Sequence, residues 1–370
     1  MPKTMSAARM HVVHQPLSID TIEVPEPRPT DVLVKVGACG IVPNLGNILN
    51  HFAEWWPHLY LPPLPAVFGL DVAGVVVAKG AQVRGIELGA RVYVNPARYC
   101  GGCVECRVGN TTHCDSYTYN GYFGFGKGSL DLFADYPHGG LCEYMTAPQY
   151  SLVTLPDNLP FETAARFGYL GTGYRALKRA EAGPRDVVLV NGGTGTLGLG
   201  TVLFALAMGV RKVLAIGRDQ GLLDQVKAID PHRIEAFSTH SDQSVTDWAR
   251  SVTDGEGVSV VIDTLGPGAE IPSLLDAFGA LRRGGQQVNI GAVMGEVPIN
   301  LNNLMIDDQR ITGSNWFTTA DGQEMADMAG SGAVDLSVFE HEVFRLEEIN
   351  EALALFKNRN GGFSNYVVIP

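Results

Sequence analysis

Val187-Val188-Leu189-Val190-Asn191-Gly192-Gly193-Thr194-Gly195-Thr196-Leu197-Gly198 is the stretch that decides the fold. Four apolar residues in a row fit a buried strand, the Asn-Gly-Gly that follows breaks it, and Thr196 to Met208 is long enough for a helix. From Val187 to Val210 there is no charge, so on hydropathy alone the segment is long enough to span a bilayer. Its glycine-rich centre interrupts any single helix, and the segment is therefore predicted to be a strand, a turn and a buried helix. Within it Gly193, Gly195 and Gly198 have the G-x-G-x-x-G spacing in the setting that gives this pattern meaning. The first glycine permits a tight turn, the second lets backbone approach a pyrophosphate, and the third lets the helix pack closely on the strand. Thr196 and Leu197 then begin a helix whose N-terminus faces the anion. A dinucleotide site is the expectation; a plain glycine-rich turn is the competing reading.

Working outward, strand-like and helix-like runs alternate: Lys212 to Ile216 then Gln220 to Ile229, with further strands at Val258 to Ile262 and Gln286 to Ile290. Such alternation predicts a parallel sheet of βαβ units, with Gly291 beside the cofactor after the last of these runs. Upstream, from Asp31 to about Pro156, short apolar runs punctuated by Gly and Pro predict a mostly β lobe. From about Ile311 the pattern is mixed, with a helix at Leu346 to Lys357 and a terminal strand at Asn365 to Ile369 that rejoins the first lobe. The expected organisation is α/β: a doubly wound Rossmann domain over 170–311, and a mostly β, partly open-barrel catalytic domain over 1–169 and 312–370.

A chain of 370 residues exceeds one ordinary core and fits about two domains. With 45% hydrophobic and 18% charged residues, its composition is that of a globular enzyme. The 27 basic and 39 acidic residues give a formal charge of -12 with no Lys/Arg block, which argues against nucleic acid as a partner. Residues Met1 to Met10 carry no apolar core of signal-peptide length, so a cytoplasmic location is expected. A small-molecule substrate and a homodimer or homotetramer are the expected partners.

The second strand of the nucleotide lobe ends Ala215-Ile216-Gly217-Arg218. Gly217 leaves space where a carboxylate would repel a phosphate, and the Arg218 guanidinium can grip a ribose phosphate through a bidentate fork. This favours NADP(H) over NAD(H). In the competing readings Arg218 is a solvated surface arginine, or Asp219 turns in to hold the ribose of NAD.

Between about 95 and 115, Cys100, Cys103, Cys106 and Cys114 place four soft thiolates in one excursion, the ligand set of a closed structural zinc site. A redox dithiol and an iron-sulfur cluster share these ligands. Cys39 and Cys142 lie outside the pattern and are expected to be buried thiols.

Together with Val36-Gly37-Ala38-Cys39-Gly40-Ile41, Gly69-Leu70-Asp71-Val72-Ala73-Gly74, His138 to Tyr144, Gly171-Thr172-Gly173-Tyr174 and Leu346 to Ala352, these motifs resemble the zinc-containing medium-chain dehydrogenase/reductase family, which includes the alcohol dehydrogenases. The likeness runs over nearly the whole chain. It implies a GroES-like catalytic lobe, a Rossmann lobe and a substrate cleft between them, with Thr172 supporting the nicotinamide face. It also implies three catalytic-zinc ligands, which fall on Val42, Leu70 and Gly168; none has a donor side chain. Asn44 and Asn47 stand where the family's hydroxyl relay runs, and an amide does not titrate.

The expected activity is transfer of a hydride to or from a carbonyl, an alcohol or an activated C=C bond without catalytic zinc. Candidate proton donors are Tyr169, His51, Tyr60 and Asp71, with His58 a further one. The link from Ile41 to Gly69 carries Phe52, Trp55, Trp56 and Tyr60, which fit an apolar or aromatic substrate wall or a plain packing cluster. The alternatives are a catalytic zinc relocated onto Asp71, His51 or His58, and a nucleotide-binding sensor or structural protein that has lost catalysis.

Overall fold

The computed structural model describes residues 2–370. Six parallel strands form the nucleotide lobe in the spatial order Ile234–Ser238, Lys212–Gly217, Val187–Asn191, Val258–Asp263, Leu281–Asn289, Arg310–Gly313. Numbered along the chain this is 3-2-1-4-5-6, the doubly wound order, and the direction of winding reverses between Val187–Asn191 and Val258–Asp263. Every residue of Val187–Asn191 is buried, as expected for a central parallel strand covered on both faces. The two faces feed different cores. Val188, Val190, Val213, Ala215, Val260 and Ile262 join the large core that runs into the other lobe. Leu189, Leu214, Ile216 and Val261 pack with Trp248 and Ala277 on the opposite side.

The β lobe is built on a seven-stranded sheet in which Asp31–Gly40 is central, pairing with Asp71–Lys79 on one side and with Tyr144–Pro148 along its first half. The terminal strand Ser364–Ile369 closes onto this sheet, with Val367 opposite Gly40 and Val368 opposite Cys39. It also carries Glu340–Arg345 in parallel. Between the lobes runs the junction helix Phe167–Arg179, packed on the helix Thr196–Ala207 that follows the glycine turn.

Three local differences from the sequence expectation have physical causes. Residues expected only as a link form the helix Leu45–Trp55, whose Leu45, Ile48, Leu49 and Phe52 make a buried stripe at i, i+3, i+4, i+7 spacing. The helix expected over Leu346 to Lys357 is instead a 3-10 turn, Leu346–Glu348, then Ile349–Leu355, then a second 3-10 turn, Phe356–Asn358. The strand expected from Gln286 begins at Leu281, and its register against Val258–Asp263 shifts across Gly284-Gly285. Among the described residues no helix is long and apolar enough to cross a membrane.

The glycine turn itself permits no added atoms where helix meets strand: a Cβ on Gly198 would collide with the Gly192 carbonyl, and backbone cannot move aside as a flexible side chain can. Gly198→Ala is expected to lower stability by about 1–3 kcal/mol in urea unfolding. An unchanged midpoint and slope would contradict this packing.

Candidate active site and metal cluster

At the switch point, Gly192 adopts φ +86°, and the N–H groups of Gly192 and Gly193 both donate to the Ile216 carbonyl, at 3.1 and 2.8 Å. Gly195 is the N-cap residue of Thr196–Ala207, so the first-turn N–H groups, those of Thr196 and Leu197 among them, lack carbonyl partners within the helix. The turn is therefore shaped for an anion. Its outer side is held by the C-terminal segment, where the Gly362 N–H donates to the Thr194 carbonyl at 2.8 Å. Gly217 is buried against Thr194, and Arg218 beyond it is exposed. Asp219 caps the next helix, accepting from the Leu222 N–H at 2.9 Å. Gly291 donates to the Asp263 carbonyl at 3.0 Å and sits against Leu265, with no room for a side chain. The Asp263 carboxyl, held by Asn191 at 2.8 Å, is pushed up to about 6 by burial.

In the β lobe, Val42 and Leu70 are buried in the apolar core. Asp71, next to Leu70, is 1% exposed. Its Oδ1 accepts two hydrogen bonds, from the Tyr93 hydroxyl at 2.7 Å and from the Gly168 N–H at 2.9 Å. A Cβ on Gly168 would overlap this carboxylate, so the aspartate occupies the space a side chain at 168 would need. Burial pushes the Asp71 carboxyl up to about 7, although Tyr93, the Gly168 N–H and the Arg166 charge all oppose the shift. Arg166, itself buried and lowered to about 9, ties this corner to the C-terminal segment by donating to the Ser364 carbonyl at 2.6 Å and to the Gly362 carbonyl.

Tyr169 is half-buried beside Asp71, and burial together with that carboxylate raises its hydroxyl well above the ordinary range. The Asn44 backbone lies next to this hydroxyl, and the Asn44 side chain lies next to Tyr122. Tyr122 is 5% exposed and its hydroxyl has no partner at hydrogen-bonding geometry. Thr172, one turn along the junction helix, donates back to the Gly168 carbonyl at 2.8 Å. Of the four candidate donors, Asp71 and Tyr169 thus come together. His51 lies on the exposed side of Leu45–Trp55, stacked on Trp55 at 5.3 Å and 3.4 Å from Glu54. Tyr60 is half-buried, its backbone paired with Gly124. Tyr93, Tyr122 and Arg166 have no motif of their own in the sequence; only the blank ligand positions pointed to their neighbourhood.

The donor atoms of Cys100, Cys103, Cys106 and Cys114 all lie within 4.8 Å of one another, and among the described residues they are the one such group of three or more His, Cys, Asp or Glu. Zn–S bonds of about 2.3 Å in a tetrahedron separate sulfurs by roughly 3.8 Å, so the four thiolates fit zinc with small adjustments. Backbone N–H groups of Cys103 and Cys106 point at the sulfurs of Cys100 and Cys103, at 3.3 and 3.5 Å, which suits thiolate ligands. Cys39 and Cys142 are buried thiols outside the cluster.

A turn shaped for a pyrophosphate at the switch point of a doubly wound sheet, braced by the C-terminal segment of a second, mostly β lobe, is the architecture of a pyridine-nucleotide dehydrogenase. Residues 28–157 match the family described as alcohol dehydrogenase GroES-like domain, and residues 196–331 match the family described as zinc-binding dehydrogenase. The chain is 32% identical over 351 residues, 94% of each chain, to an alcohol dehydrogenase of Geobacillus stearothermophilus. It is 27% identical over 363 residues to the sorbitol dehydrogenase of Bacillus subtilis (strain 168), covering 95% of this chain and 94% of that one. Among solved structures, a thermostable alcohol dehydrogenase from Pyrobaculum aerophilum matches with a TM-score of 0.79 and 26% identity, over 99% of this chain and 100% of that one. The chain belongs to the zinc-type alcohol dehydrogenase group of the medium-chain dehydrogenase/reductase family, and it is a dehydrogenase/reductase enzyme.

Asp71 gives this site a pH signature. Its folded value of about 7 lies above the ordinary 3.8, so its contribution to stability is complete below about pH 4 and is lost as pH rises through 7. Asp71→Asn cannot ionise and should gain on the parent by about 2.5 kcal/mol between pH 5 and pH 8 in urea unfolding. Titrating groups that do not interact with Asp71 cancel in this difference, and those that do, Tyr93, Arg166 and Tyr169, titrate above this range. A gap between the two proteins that does not change with pH would contradict the buried acid.

Proposed function

We propose that this enzyme transfers hydride between NADP(H) and a small carbonyl compound, alcohol or activated C=C bond without a metal at the reacting centre, and that Tyr169 supplies the proton. The observation that carries this reading is the Asp71 carboxyl filling the space at Gly168 while Val42 and Leu70 present only hydrocarbon. When bound, the nicotinamide supplies or accepts the hydride. The chain's own groups do the rest. Gly193, Gly195, Gly198 and the N–H groups of Thr196 and Leu197 hold the pyrophosphate, with Gly217 and Gly291 leaving room along the groove. Arg218 grips the ribose phosphate, and the engagement of Asp219 as a helix cap supports this choice over a ribose-binding aspartate. Thr172 backs the nicotinamide.

Tyr169 remains protonated across the physiological range and donates as negative charge develops on the substrate oxygen. An ionised Asp71 holds that proton more tightly, so Asp71 tunes the donor while Tyr93 and Gly168 hold Asp71. His51, exposed on its helix, and Tyr60, half-buried, stay as secondary candidates. Zinc at Cys100, Cys103, Cys106 and Cys114 serves the fold of its loop, since all four positions are filled by thiolates and none is open to substrate.

A panel of enones, aldehydes and alcohols run with both cofactors tests the reading. Tyr169→Phe is expected to cost roughly 10²-fold in turnover with cofactor affinity intact. Arg218→Ala is expected to narrow the NADPH preference by roughly ten- to a hundred-fold. Full turnover in the tyrosine variant, or equal affinities for NADPH and NADH in the parent, would refute the corresponding assignment.

We further propose a homodimer through the edge strand Arg310–Gly313, which is open on one side and flanked by exposed Leu301, Met305, Ile306 and Ile311. Light scattering should give twice the chain mass, and Met305→Glu should shift it to the monomer; a parent that is monomeric at micromolar concentration would exclude this interface.

A further inference from the structure

The C-terminal segment that braces the glycine turn has a second hold, next to the Arg166 contacts with Gly362 and Ser364. Asn365 is buried, and its side-chain nitrogen donates twice: to the Glu162 carbonyl at 2.7 Å and to His341 Nδ1 at 2.9 Å. The first bond fixes the amide, because the opposite orientation would set oxygen against oxygen at that distance. His341 Nδ1 must therefore accept. A neutral imidazole that accepts at Nδ1 carries its proton on Nε2, which lies 3.1 Å from the hydroxyl oxygen of the buried Thr163 and donates to it. Only the neutral ring satisfies all three bonds.

Protonation reverses the Nδ1 bond. An imidazolium presents N–H to the amide NH2, and turning the amide to accept it would break the bond to the Glu162 carbonyl. His341 is exposed, so protons reach the ring from solvent. Thr163 belongs to the helix Phe161–Ala164, His341 to the strand Glu340–Arg345 and Asn365 to the terminal strand, so one ring joins three elements. Three residues before Asn365, the Gly362 N–H holds the Thr194 carbonyl of the glycine turn at 2.8 Å. We infer that His341 is a pH-sensitive latch on the segment that braces the nucleotide turn, closed while the ring is neutral and released when it is protonated. The inference rests on the turn as the nucleotide site, and not on the proton donor or the cofactor preference.

The charges around the ring oppose one another. Burial lowers His341 below its ordinary 6.5, Glu162 resists that shift and Arg166 adds to it. Glu340 and Glu342 flank the ring on its own strand, with Glu340 engaged by the Asn360 amide at 3.2 Å. The terminal strand brings Tyr366, which stays neutral in acid. The latch is therefore complete above about pH 6.5, and its contribution is lost as pH falls below that value.

Hydrogen exchange of the full-length enzyme at pH 8 and pH 5, read by mass spectrometry over residues 360–366 and corrected for intrinsic rates, tests the latch without cofactor. NADPH titration at the same two pH values tests its reach to the turn. From pH 8 to pH 5 the parent should lose protection in this segment by roughly threefold or more relative to His341→Gln, whose amide takes both hydrogen bonds but cannot be protonated. The NADPH dissociation constant should rise by roughly threefold or more beyond the rise in that variant. Asp71 and Asp263 also titrate near this range, but they do so in both proteins. Asn365→Asp gives the imidazolium an acceptor, and the NMR titration of His341 should move from below 6.5 in the parent to above it. Equal pH responses of the segment in parent and His341→Gln, or a parent ring that titrates at or above 6.5, would overturn the latch. Exchange that differs while NADPH affinity responds equally in both would overturn its link to the turn. A parent that binds no NADPH at pH 8 would instead count against the nucleotide site, with the exchange result standing by itself.

Discussion

A side chain at residue 168 and the carboxylate of Asp71 cannot occupy the same space, and the packing of this corner follows from how the chain settles that conflict. Glycine at 168 frees the volume, its N–H meets Asp71 at 2.9 Å, and Tyr93 completes the hold from the other side. The result is a buried acid where residues 42, 70 and 168 offer no donor side chain. Such a group is costly to ionise, which is why its value rises to about 7 despite two hydrogen bonds and the nearby Arg166.

Arg166 makes this corner more than a local arrangement. It stands at the start of the junction helix, and it donates to the carbonyls of Gly362 and Ser364. Gly362 in turn donates to Thr194 in the glycine turn. Gly168, two residues further along the same helix, donates to Asp71, so the segment that holds the acid is tied to the glycine turn through residues almost two hundred positions away in sequence. The terminal strand that carries this segment is also paired with Asp31–Gly40, so the β lobe is closed by the same residues that brace the nucleotide turn.

The nucleotide lobe is legible in the sequence because its signals are local: four apolar residues, a glycine turn and an apolar helix in direct succession. The four-cysteine loop is legible for the same reason, since its ligands fall within fifteen residues of chain. Asp71 is visible as a candidate, but its burial and its partners are not, because Tyr93 and Gly168 lie 22 and 97 residues away. Tyr122 and Arg166 carry no spacing signal at all; they matter through what the fold sets beside them. The helix Leu45–Trp55 does leave a trace, in the spacing of Leu45, Ile48, Leu49 and Phe52, which the Trp-Trp-Pro that follows obscures. His51 shows the converse: its residue type suits proton transfer, and its position on the exposed side of that helix sets it apart from Asp71 and Tyr169.

The central claim is that the reacting centre works through side chains while the metal serves the zinc loop alone. Metal analysis of active protein by mass spectrometry, before and after mild chelation, tests it most directly. One zinc per chain, lost only together with the fold of the cysteine loop, is the predicted result. Two zincs per chain, with turnover abolished when the more labile one is removed, would contradict it.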